Sequence, residues 1–142
     1  MRHRKHKGQL NRNASHRRCL KANMVKSLVR HGFVRTTLPK AKWVRQEAER
    51  MISLAKDGSL ASRRRAMARL MINGERPSSR DWRRMREQGR LSGEKQILVD
   101  LFGGLASRFA SRKGGYTRIV RTESRKGDGA QMCIVEYIDG GK

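Results

Sequence analysis

A chain of 142 residues with 35 Lys and Arg against 12 Asp and Glu carries a formal charge of +23 and has a pI near 11.6. That length suits one compact domain with an appended arm, and so much like charge strains a free fold, which makes a polyanionic partner part of the working state. Two cysteines are too few for a disulfide framework, and no window is apolar enough for a transmembrane span. No apolar stretch follows the positive N-terminus as in a secretory signal, and aromatics at 5% are too sparse for a basic membrane-surface helix. The expected setting is a reducing cytoplasm without a membrane partner.

Met1 to His31 holds ten Lys or Arg and all four histidines, and the first acid of the chain is Glu47. Up to Ser15, Leu10 is the only bulky apolar side chain after Met1. Residues 1–14 are therefore expected to form an extended basic arm that orders only against dense negative charge, such as a polyphosphate backbone. Arg2, Arg4, Lys5, Lys7 and Arg12 offer charge-assisted bonds to phosphate. Asn11 and Asn13 suit sugar hydroxyls and base edges, while His3, His6 and His16 can stack on splayed-out bases. That mixture points to structured RNA more than to a plain polyanion.

Residues 15–142 read as a single α+β globular domain. Ser15 is placed to cap a helix through His31, with Leu20, Met24, Leu28, Val25 and Val29 as its apolar stripe. Ser15, Arg17 and Arg18 extend the candidate RNA-binding surface onto this helix. Gly32 fits a left-handed C-cap, and Phe33 to Thr37 is β-branched enough for a strand. Leu38-Pro39 opens a second helix in which Ala41, Val44, Ala48, Met51, Ile52 and Ala55 recur on one side, ended by Asp57-Gly58. Ser59 then caps a third, with Leu60, Met67, Leu70 and Met71 expected inward, Arg63, Arg64 and Arg65 outward, and Asn73-Gly74 as its stop.

The stretch at about 74–93 is an arginine-rich insertion whose one aromatic is Trp82. Ser78 with Asp81 fits a capping box for a short basic helix to about Gln88, closed by Gly89. A further helix, Glu94 to Phe102, would bury Ile97, Leu98, Leu101 and Phe102 and fray at Gly103-Gly104. Tyr116 to Thr122 and Met132 to Ile138 flank a Gly-Asp-Gly turn as a hairpin, the second run being apolar on both faces and so expected to lie sheltered by helices. The predicted architecture is helices packed on a small three-stranded sheet.

Chemistry-bearing patterns are scarce. His16 and Cys19 stand i, i+3 on one helix, but Cys133 is far away and no further ligands complete a zinc set, so no metal or other cofactor is expected. No paired carboxylates, phosphate-binding loop or nucleophile motif appears, which argues against an enzyme and against a small-molecule substrate. The run Lys113-Gly114-Gly115-Tyr116-Thr117-Arg118 is superficially like an RNA-recognition strand but lacks its second aromatic. It reads better as a basic, glycine-loosened loop bringing backbone N–H groups with Arg112, Lys113 and Arg118 to a phosphate.

MRHRK at the start, QLNRNASHR, LVRHG, RTTLPKAK, SRKGGYTRI and GDGAQMCIVEYID together resemble the bacterial large-subunit ribosomal protein seventeen family, over roughly Met1–Leu60 and Gln96–Asp139. The resemblance implies a non-enzymatic structural constituent of the large ribosomal subunit. Its arm would thread into large-subunit (23S-type) rRNA, and its body would sit on the outer surface near the peptide exit region among neighbouring large-subunit ribosomal proteins. Carried over by position, it implies contacts at Arg2, His3, Arg4, Lys5, Asn11, Arg12, Asn13, His16 and Arg17, with Lys40, Lys42, Arg112, Tyr116 and Arg118 added. Between Met71 and Gly93 the chain departs from the family pattern, so the Trp82 stretch inherits no role. The alternatives are a nucleoid-type DNA-binding protein, which would prefer duplex DNA, and a basic nuclease, which would cleave with a metal ion.

Overall fold

The computed structural model describes residues 8–72 and 93–138. Gln9 to Arg12 make a tight turn, Arg12 N–H donating to the Gln9 carbonyl at 3.1 Å with Leu10 and Asn11 both at φ 50°. Helix α1 (Ala14–His31) begins there, and its cap is Asn13, not Ser15. The Asn13 Oδ1 accepts from His16 N–H at 2.8 Å, satisfying one of the free donors of the first turn. α1 buries Ala22, Val25, Leu28 and Val29, then stops at Gly32, which takes φ 79° and donates its N–H to the Leu28 carbonyl.

Strand β1 (Phe33–Thr37) leads directly into α2 (Leu38–Asp57), with Pro39 in the first turn. All six apolar residues expected to face inward are buried, and Gly58 closes the helix at φ 65°. Ser59 caps α3 (Leu60–Leu70) as expected, its Oγ accepting from Ser62 N–H at 3.1 Å. The hydroxyls of Ser59 and Ser62 both donate to Asp57, which lowers the pKa of that carboxyl.

The inward face of α3 differs from expectation. Ser62, Ala66 and Leu70 are buried, whereas Leu60 is 63% exposed and Met71 also lies outside the core. Positions 62, 66 and 70 share one side of a helix, and their small first members let α3 approach α2 closely; the arginines at 63–65 then point to solvent as read. Met71 itself forms the left-handed cap at φ 52°, so the helix ends before Asn73-Gly74. The Ser78–Asp81 box and the Trp82 helix lie outside the described residues.

Helix α4 (Gly93–Val99) does not end at Phe102. It runs on through a π-helical segment (Asp100–Leu105) and a last α-turn (Ala106–Arg108). Ile97, Leu101, Leu105 and Phe109 are all buried, spaced four apart. In a pure α-helix of about 3.6 residues per turn that spacing drifts round the cylinder, and the wider π turn takes the drift back. Gly103 and Gly104 lie inside the π segment on its exposed side, so they soften the turn instead of ending it.

Strands β2 (Thr117–Ser124) and β3 (Gln131–Tyr137) complete an antiparallel sheet of order β1-β3-β2. Val34 pairs with Val135 and Thr36 with Cys133, while Thr117 and Ile119 pair with Tyr137 and Val135, setting these residues on the helix-covered face. Phe109 closes the core beside them, its ring 5.2 Å from Tyr116 and 6.1 Å from Tyr137. The architecture is α+β, the described helices packing on one face of a three-stranded sheet. Among the described residues, helices shelter β3 on that face alone: Met132, Ile134 and Glu136 are half-buried on the other.

Candidate nucleic-acid interface

The segment expected to form the arm leads into the N-terminus of α1. Arg17 folds back to donate to the Arg12 carbonyl at 2.6 Å, and the Arg12 guanidinium meets the His16 ring. These bonds hold the three side chains together, while Asn11, Ser15 and Arg18 stand exposed around them. Asn13 accepts the helix-cap bond through its carbonyl oxygen, and its side chain is exposed. Arg2, His3, Arg4, Lys5 and Lys7 lie outside the described residues.

One turn further on, Lys21 ties α1 to α2, its ammonium 5.9 Å from the centre of the Trp43 ring and 3.5 Å from Glu47. Lys40 and Lys42, in the first turns of α2, therefore belong to the same end of the molecule as the arm root. Glu47 is only 5% exposed, and its carboxylate also meets Arg69 at 2.9 Å and Arg50 at 3.6 Å. One acid thus holds cations from α1, α2 and α3 beside one another. Sequence reasoning missed this node, although an acid three residues after Val44 on the buried stripe of α2 was its signal. Glu47→Gln keeps the shape and removes the charge. We expect a loss of about 2 kcal/mol, below the ~3–5 of a fully buried pair because the three cations stay partly in water. An unchanged urea midpoint would contradict it.

The second group gathers at the other end of α2. Lys56 Nζ donates to the Arg112 carbonyl at 2.6 Å, and the Tyr116 hydroxyl donates to the same oxygen at 3.3 Å. Gly115 takes φ 63°, which turns the loop so that Lys113 and Arg118 face solvent. Arg118 is bonded to Glu136 at 2.6 Å. Tyr116, expected among the contacts, is 3% exposed: its ring packs on Phe109 and lies beneath the Lys56 ammonium, 5.6 Å away. It shapes the loop and presents no surface to a ligand. From Lys40 to Lys56 the helix rises about 24 Å at ~1.5 Å per residue, so the predicted residues form two groups, not one patch.

Elsewhere the charges have local roles. The Arg63 guanidinium lies 5.2 Å from the Phe102 ring. In the exposed hairpin turn Arg125 donates to Asp128 and holds its pKa down to about 2. Among the described residues no His, Cys, Asp or Glu side chains cluster as a metal site. Cys133 is buried with its Sγ 3.3 Å from the Thr36 carbonyl, and burial pushes its thiol pKa up.

Comparison with known proteins gives a consistent result. The family model described as ribosomal protein L17 matches residues 20–138. The chain is 45% identical over 141 residues to the large ribosomal subunit protein bL17 of Chlamydia trachomatis serovar L2, covering 97% of this chain and 99% of the relative. The protein of the same name from Protochlamydia amoebophila is 46% identical over 140 residues, with the same coverage of both chains.

Proposed function

Because this chain belongs to the ribosomal protein L17 family, we propose that it serves as a structural constituent of the large ribosomal subunit in the cytoplasm, binding large-subunit rRNA through its basic arm and the two cationic ends of its body. The family is structural, so binding and not catalysis is the activity. The observation that carries the reading is the acid-free run up to Arg45, which leads into a root where Arg12, His16 and Arg17 are bonded together and Lys21 joins them to the α2 end bearing Lys40 and Lys42. A fixed group of cations at the base of an arm suits RNA segments that converge there and would otherwise repel. Phosphate neutralisation supplies the affinity, and RNA shape supplies the location. Arg112, Lys113 and Arg118 would hold a second stretch of backbone about one helix length away. Neighbouring large-subunit proteins are expected partners of the remaining surface.

Steep salt dependence would be shared with a nucleoid-type DNA-binding protein, so the test is competition at fixed salt. Labelled large-subunit rRNA bound to the full chain is challenged with unlabelled rRNA or with duplex DNA of equal phosphate content. The expected result is that rRNA displaces the label at a concentration at least tenfold lower. Equal displacement by the duplex would favour the DNA-binding reading.

A further inference from the structure

The helices cover one face of the sheet and leave the other open among the described residues. On that open face two rows cross all three strands: Phe33, Glu136 and Arg118 in one, Arg35, Ile134 and Val120 in the next. Phe33 is 57% exposed and Val120 42% exposed, an unusual use of apolar side chains in a chain with so few aromatics. Among the described residues no ring or cation stacks on Phe33. Phe33 and Arg35 stand two apart on one strand, so both project outward, about 7 Å apart at ~3.4 Å per residue.

We infer that this open sheet face is an additional RNA-binding platform, on which an unpaired base stacks against Phe33 while Arg35 and Arg118 take the flanking phosphates. The inference rests on the rRNA-binding reading above, shares Arg118 with it, and adds a base-stacking position at Phe33 that it does not contain. Charge selects the occupant. The single carboxylate of the two rows, Glu136, is already bonded to Arg118, which leaves the face cationic beside its apolar centre. An aromatic ring flanked by guanidinium groups is the combination that holds single-stranded nucleic acid without reading its sequence. The face is also continuous with the Arg112–Arg118 loop, because Arg118 belongs to both.

The test compares the full-length chain with Phe33→Leu, which keeps apolar bulk but has no π-face, and Phe33→Tyr, which keeps the ring. All three are matched for thermal unfolding and titrated with protein-free large-subunit rRNA. Phe33→Leu should bind about tenfold more weakly, and Phe33→Tyr like the parent. Equal binding by the leucine variant overturns the inference. If that variant binds rRNA normally yet fails to join reconstituted subunits, the inference is again overturned, and the face meets a protein. Failure of the parent chain to bind rRNA would instead remove the preceding reading on which this one stands.

Discussion

Phe109→Ala should lower the free energy of unfolding by about 3–5 kcal/mol, the usual cost of emptying an aromatic site in a packed core. Phe109 has no solvent exposure and lies between Tyr116 and Tyr137, so the removed ring leaves a void bounded by two side chains that are themselves anchored. Tyr137 N–H is bonded to the Gly32 carbonyl and Tyr116 to the Arg112 carbonyl, which limits collapse into the space. Phe109→Leu should cost less, because most of the volume remains. A denaturant titration reads both. A loss below about 1 kcal/mol for the alanine variant would mean that the helix end and the loop are not held together through this ring.

The largest functional effect should come from deleting Met1–Arg12. Five Lys or Arg residues leave with this segment. Each phosphate contact contributes roughly 0.7–0.9 to the slope of log affinity against log salt, so the slope should become shallower by about 3.5–4.5. Body stability should stay within about 0.5 kcal/mol, provided that Asn13 remains. Extending the deletion by that one residue removes the α1 cap and should cost about a further 1 kcal/mol. A shorter chain with an unaltered salt slope would show that the arm makes no phosphate contacts.

Much of the fold could be read from the residues because local chemistry and burial agree along most of the chain. The α2 stripe follows the helical period without interruption, and Gly32, Gly58 and Ser59 stand where caps are needed. The misreadings occur where two local signals compete or where tertiary packing decides. Asn13 and Ser15 can both cap, and the helix starts early enough for Asn13 to take His16 N–H. Leu60 and Met71 look like core by hydropathy, yet α3 packs through Ser62 and Ala66, whose smallness matters more than their polarity. Paired glycines at 103–104 suggest an end, while buried Leu101, Leu105 and Phe109 carry the helix past them.

The candidate site was legible as charge and not as arrangement. Lysines and arginines declare themselves by type, but their division between two ends of α2 depends on Lys21 meeting Trp43 and Lys56 meeting Arg112. Tyr116 shows the same limit from the other side. An aromatic beside basic residues suggests a stacking surface, and only its place under Lys56 and against Phe109 shows that the ring faces inward.

The strand order has a bearing on how the molecule is made. Among the described residues β1 is bonded only to β3, the last of the three strands in chain order, so Val34 must wait for Val135 before it has a neighbour in the sheet. Closing so distant a contact is slow compared with winding helices. The cationic leader is therefore synthesised, and free to meet a nucleic acid, well before the sheet behind it can assemble. In the order of biosynthesis, the charge comes first and the sheet last.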